Sequence, residues 1–307
     1  VTFAAGVSWT KVGAAFSRAG SSLPSIYWPW VVDTAGLPIT LADRYAMYYS
    51  TDHDATAGGV ALATAPDPTG PWTDRGRVFV DAGPGHQTET PAVWWDPAVG
   101  VLRMLYQQAG AVGGVAQSTL QATSSDGIHW SKLPTTAGII VQPGTFPGDG
   151  HTGYAIPLPR PDAPRCMTAW HLMGGGNRPH FGMSHSFDYG ATWKTDPRPL
   201  MYGMDQVNPV APGYRIEWNS GHQYQWQGRT WWVGLLSSFG SGAGAVPRVL
   251  AQAPLAPDGR HLLGVPELVF PGDAPANHRA LFCLSEGSTL WLWYQIDQVF
   301  YLARGAA

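Results

Sequence analysis

Two cysteines in 307 residues, Cys166 and Cys283, exclude a disulfide framework. Both lie in apolar, strand-like surroundings and are expected to be buried free thiols. Charge is scarce as well: Asp, Glu, Lys and Arg make up 13% of the chain, the net charge is −3, and no basic cluster occurs. Nucleic acid is therefore not an expected partner. No apolar run reaches the roughly 18 residues of a membrane-crossing helix, so no membrane span is expected. Sustained helical periodicity is missing, and so is any linker that would separate one core from another. The chain opens on Val1 with no secretory leader in view, which fits processing or excision from a longer chain. What abounds is tryptophan, glycine and proline (15, 38 and 27 residues) in a chain that is 44% hydrophobic. That is aromatic mass for a core, cut at short intervals by turns.

Tryptophan also supplies the order. S-W-T-K-V-G (Ser8 to Gly13) is echoed by P-W-T-D-R-G (Pro71 to Gly76), H-W-S-K-L-P (His129 to Pro134) and T-W-K-T-D-P (Thr192 to Pro197). Trp9, Trp72, Trp130 and Trp193 thus stand 63, 58 and 63 residues apart. A near-fixed period holding several strands per unit signals radial repetition. The last three copies each follow a strand and an Asp-and-Gly turn, whereas Trp9 has no strand before it. Conversely, V-F-Y-L-A-R-G from Val299 ends where its own Trp strand should begin. The simplest reading is an all-β fold with residues 1–307 as one domain. It is a five-bladed β-propeller, closed by an N-terminal strand within Val1 to Phe16 that joins the C-terminal blade. A length prior of about two domains yields to this closure. Blade four departs from the pattern, with P-D-G-R-H-L-L where its Trp strand would sit.

Four antiparallel strands per blade sort the connections onto two faces. One face receives tight turns such as S-D-G and F-D-Y-G. The other receives long polar segments carrying His53, His86, His151, His180, His222 and His278. Loops on a rigid scaffold are where function usually sits. D-H-D at Asp52 to Asp54 lacks the spacing of a known calcium loop, so no cofactor is expected, a structural Ca²⁺ being the one alternative.

Laid on five blades, Y-A-M-Y-Y-S-T-D, A-T-A-P-D-P-T-G-P-W and E-T-P-A-V-W-W-D resemble the superfamily of glycoside hydrolase families 43 and 32. S-F-D-Y-G-A-T-W (Ser186 to Trp193) looks like the Asp-box of sialidase-type propellers, where Asp188, Gly190, Thr192 and Trp193 would build and pack a turn. The resemblance implies a central funnel with three acids on the starts of inner strands: an acid, a base and a carboxylate that tunes the acid. This chain departs from that set. Trp28 stands before Pro29 where the first blade of family 43 carries Asp, and the third blade offers Asp149 and His151 in place of a general-acid Glu.

By position, Glu89 and Glu217 are the carboxyls expected to open into one pocket, with Asp149 and His151 as further catalytic candidates. Trp28, Trp30, Asp52, His180, Trp218, Asn219, His222 and His278 are the candidate substrate contacts. Glycoside cleavage needs one protonated and one ionised carboxyl, about 5–5.5 Å apart for retention and 6.5–9.5 Å for inversion. Funnel tryptophans would desolvate one carboxyl and leave a wetter partner ionised. Two functions are carried forward. One is hydrolysis of a furanoside-containing or cell-wall polysaccharide. The other is non-catalytic glycan binding, as in a host-recognition module of a phage or cell-surface assembly. Either expects a poly- or oligosaccharide partner and an extracellular location, secreted or within a larger extracellular or virion assembly.

Overall fold

The computed structural model describes residues 6–51, 58–81, 87–112, 115–134, 152–160, 163–173, 180–196, 200, 214–238, 248–273 and 276–306. Twenty strands among these form five four-stranded antiparallel sheets. The first strand, β1 (Trp9–Ser17), pairs with none of its sequence neighbours. Blade one runs from the axis outward as β2 (Tyr27–Asp33), β3 (Tyr45–Thr51), β4 (Gly59–Ala65) and β5 (Thr73–Phe79). Blade two is β6 (Gln87–Asp96), β7 (Val101–Val112), β8 (Val115–Ser124) and β9 (Ser131–Lys132). Blade three is β10 (Thr152–Arg160), β11 (Ala163–Met173), β12 (His180–Ser186) and β13 (Lys194–Thr195). Blade four is β14 (Tyr214–Trp226), β15 (Arg229–Ser238), β16 (Arg248–Pro254) and β17 (Glu267–Leu268). Blade five is β18 (His278–Glu286), β19 (Thr289–Ile296) and β20 (Val299–Ala306). Its outer place is filled by β1, which pairs with β20 from Trp9↔Gly305 to Ser17↔Val299. The N-terminal strand closes the ring, as the orphan tryptophan motif predicts.

Burial follows radial position. Every residue of β3 and β4 is buried, because both faces of a middle strand press on neighbouring blades. Such strands tolerate continuous apolar runs like Y-A-M-Y-Y. The outer strand β5 instead alternates exposed and half-buried residues. The second strand of each blade adds at least one aromatic that is almost completely buried, among them Tyr48, Tyr106, Trp170, Trp232 and Trp293. Each contributes roughly 1.5–3 kcal/mol or more through burial.

The marker tryptophans seal the seams between blades. Each packs on the blade before its own: Trp72 on Trp293 (ring centroids 6.4 Å apart), Trp130 on Tyr48 (5.6 Å), Trp193 on Trp94 (6.2 Å) and Trp9 on Tyr224 (5.8 Å). The Asp-and-Gly turns aim them. In the Asp-box-like turn, Asp188 accepts hydrogen bonds from the Thr192 amide (2.9 Å) and hydroxyl (2.6 Å), and from Ser186 (2.8 Å). Gly190 has φ of +80° and sits against Trp94, where a Cβ would come within 2.5 Å of the indole. These residues build the turn expected of them.

Blade four departs from the pattern as the sequence implies: its outer strand is β17, after a turn pinned by the Leu255↔Leu262 bridge, and P-D-G-R-H-L-L is connection. One expectation is corrected. Both thiols are free, but only Cys283 is buried; Cys166, near the start of β11, is partly exposed.

Candidate functional site

All five inner strands lose register with their partners at the same level. The breaks fall between Tyr27 and Trp30, Glu89 and Ala92, Gly153 and Ile156, Glu217 and His222, and His278 and Leu281. A bulge inserts an extra residue and re-aims its side chain. In the first three blades that residue is Trp28, Thr90 or Tyr154, held at φ of +49°, +56° and +53°. Left-handed backbone is uncommon for such residues, and bulky ones there are outliers. Together with Trp30, Ser220 and Leu281, these residues line an axial recess of about 40 Å³ to which all five inner strands contribute.

The recess is walled by rings. Trp28 and Tyr154 meet edge to face with centroids 5.6 Å apart, and Tyr27 lies 5.4 Å from Trp28. The Trp28 amide donates to the side-chain carbonyl of buried Gln295 (3.0 Å), whose own amide donates to the Asp297 carbonyl (2.6 Å). Trp30 is fixed by its indole N–H donating to the Val93 carbonyl (2.6 Å) and by Phe282, 4.6 Å away. The Thr90 amide donates to Ser50 (2.6 Å), while its hydroxyl has no hydrogen-bond partner among the described residues. A buried hydroxyl without a partner is costly. Arg279, at the bulge of blade five, lies over the Tyr27 ring (5.1 Å) and brings positive charge beside the recess.

His222 packs behind Trp30 (5.5 Å) and against Phe282 (4.8 Å). Burial pushes its pKa down to about 4, and Nδ1 donates to the Gln223 carbonyl (3.0 Å), so the ring is neutral with Nε2 as acceptor. The His278 ring faces elsewhere. It lies tilted against Tyr294 (5.8 Å) and shares a small cavity with Leu250, Phe270 and Asp273 at the seam of blades four and five. Burial lowers its pKa to about 4 as well.

Glu89 immediately precedes the bulge, pairs with Gln107 across β6 and β7, and is almost fully buried. Its carboxylate accepts from the Gln107 amide (3.1 Å), which also donates to Gln117 (2.7 Å). Gln107 in turn fills the space where a Cβ on Gly153 would stand. The axial position expected of Glu89 is thus taken by Thr90, one residue on, and no carboxylate occurs among the described residues lining the recess. Glu217, Trp218 and Asn219 lie on the described backbone of β14 at its bulge, and His180 at the start of β12, but their side chains lie outside the described set. Asp52, Asp149 and His151 lie outside it altogether. Among the described residues no group of three His, Cys, Asp or Glu is arranged to hold a metal ion, and no helix is long and apolar enough to cross a membrane.

Thr90, Tyr154 and Ser220 were missed by sequence reasoning. Pro29 and Pro91, each one residue beyond a left-handed position, are the only local signal, since proline restricts the residue before it.

No protein-family model and no curated protein sequence matches the chain. Solved structures do. An N-acetylgalactosamine deacetylase from F. plautii, solved with blood group B trisaccharide, superposes with a TM-score of 0.63 at 13% identity over 98% of this chain and 94% of that one. An endo-arabinase from Bacteroides thetaiotaomicron gives 0.64 at 13% identity, covering 96% and 97%. A Bombyx mori GH32 β-fructofuranosidase gives 0.64 at 9% identity, and only 62% of its own length is covered. The fold is that of the GH43 and GH32 propellers and of related deacetylases. At these identities the likeness establishes architecture and leaves the chemistry to the residues.

Proposed function

We propose that this protein binds the end of an oligosaccharide at the mouth of the axial recess and hydrolyses a glycosidic bond there. The observation that carries the reading is the set of five coincident bulges, which turns Trp28, Thr90 and Tyr154 onto one axis at the cost of left-handed backbone. Strain concentrated at one level of a scaffold is a mark of a functional site. Indole and phenol rings stack on the C–H faces of sugars. Glu217 and Glu89 take the acid and base work, with Asp149 and His151 as further proton carriers. The substrate class is a furanoside-containing or cell-wall polysaccharide. The work is placed outside the cell, in a secreted protein or within a larger extracellular or virion assembly.

One observation favours a second reading, glycan binding without cleavage: the described lining holds no acid, and Glu89 is turned to Gln107. The test is a panel of arabinan, xylan, fructan and bacterial cell-wall glycans assayed for new reducing ends from about pH 4 to 8, with acetate release followed in parallel. Under the hydrolase reading, Glu89→Gln and Glu217→Gln each lower the rate about 10²–10⁴-fold and leave binding largely intact. Under the binding reading the wild type releases nothing at any pH, and affinity falls with Trp28→Ala. Acetate without reducing ends would keep the funnel and replace the reaction.

A further inference from the structure

Four of the five seams are wedged by a tryptophan; the seam between blades three and four is not. Blade four carries Pro257 to Arg260 in place of the Trp turn. Its turn still docks where the others do, since the Trp170 indole donates to the Gly259 carbonyl (3.2 Å). The missing wedge leaves a cleft of about 540 Å³, on the face opposite the mouth of the axial recess. That volume lies within the range of small-molecule sites.

The lining of this cleft mixes polar side chains with apolar wall, unlike the aromatic contacts at the other seams. From blade three come Thr168, His185 and Asp196; from blade four come Gln223, Gln225 and Thr230. The formal charges are matched. Asp196 is paired with Arg260 and has His185 at 3.7 Å, while Arg160 and Asp258 oppose each other in sign. The Gln223 amide donates to the Pro159 carbonyl (3.2 Å) and that of Gln225 to the Thr230 hydroxyl (2.9 Å). Both side chains are thereby oriented with a carbonyl oxygen left to accept. Leu255 and Pro257 add apolar surface. Held neutral acceptors and hydroxyls, beside apolar wall and without excess charge, suit a neutral polyhydroxyl ligand better than an ion.

We propose that the cleft between blades three and four is a second binding site, for a neutral oligosaccharide, on the face away from the funnel. It goes beyond the reading of the funnel and does not depend on catalysis there. A polymer gripped in this cleft is tethered to the protein without occupying the axial recess.

The test is a ligand-observed NMR titration of arabinotriose, xylotriose, a galactose trisaccharide and trigalacturonic acid. The proteins are the full-length wild type, Trp28→Ala and Gln225→Trp. Gln225→Trp puts a ring into the open seam from β14. A double variant, Gln223→Leu with Gln225→Leu, removes both acceptors at nearly constant size and covers the case in which the tryptophan fails to fold. The expected result is that at least one neutral trisaccharide binds the wild type and Trp28→Ala, and that its Kd rises at least tenfold in a seam variant whose melting temperature is unchanged. The proposal is overturned if no neutral trisaccharide binding responds to the seam variants, or if trigalacturonic acid alone binds there. Loss of turnover, or of binding confined to Trp28→Ala, bears on the funnel and not on this cleft.

Discussion

Ring closure by β1 can be tested through Phe16. The side chain is 5% exposed and bridges blade five to blade one, with its ring 6.2 Å from Phe300 and 5.5 Å from Tyr49. At the other end of the strand, Trp9 bridges to blade four: its indole donates to Gln252 (2.8 Å) and its ring meets Tyr224. Phe16→Ala removes a buried ring from a seam that cannot collapse freely, at a cost of about 3–5 kcal/mol. With an unfolding entropy of roughly 2.1 cal/mol/K per residue over 307 residues, the melting temperature should fall by about 5–8 °C. Urea unfolding should show a lower midpoint with an unchanged slope, because opening one seam does not alter the surface exposed on unfolding. Deleting residues 1–16 removes both bridges and most of the ladder with β20. The loss is then comparable to the roughly 5–15 kcal/mol that holds a whole domain, so the fold should not persist. A truncated protein that melts like the full chain would refute closure by this strand. A truncated protein that loses one small transition and keeps the rest would show that the blades are not cooperative.

Two further predictions concern pH and turn geometry. Folded His222 and His278 take up protons only near pH 4, whereas the unfolded imidazoles do so near 6.5. The unfolded chain therefore binds more protons between these values, and stability falls as pH drops from about 6.5 to about 4, then levels. His222→Phe should remove one group's share of that slope in urea titrations, on the order of 3 kcal/mol across the window; an unchanged slope would contradict a neutral, buried ring. Gly190→Ala should cost about 2–4 kcal/mol, through its left-handed φ and the clash with Trp94. Gly36→Ala, at φ +78° with open space around it, should cost only about 1 kcal/mol; equal losses by calorimetry would show that the Trp94 contact contributes nothing.

The blades were legible because their markers are local. Asp188 and Gly190 announce a turn, Trp193 follows it, and the orphan Trp9 implies its partner at β20. Register was not legible. A bulge adds one residue without changing composition, so Glu89 and Thr90 exchange roles, and the acid expected at the axis is held by Gln107 while a threonine lines the recess. Polar residues in middle strands were also opaque: Gln107 and Gln121 sit almost completely buried in positions that an alternation rule assigns to solvent or core alike. His222 and His278 read alike in the sequence, yet His222 follows the bulge of β14 and packs behind Trp30, while His278 precedes that of β18 and faces the blade four–five seam.

The left-handed backbone at Trp28, Thr90 and Tyr154 also limits how stable this protein can become. Each position holds roughly 1–3 kcal/mol of conformational strain, and glycine would release most of it. The same replacement deletes a ring or a hydroxyl from the axis. Stability and recognition are therefore set against each other at three single residues, one per blade. A lineage selected only for robustness would drift towards glycine there, and one that keeps the side chains is being held to its ligand.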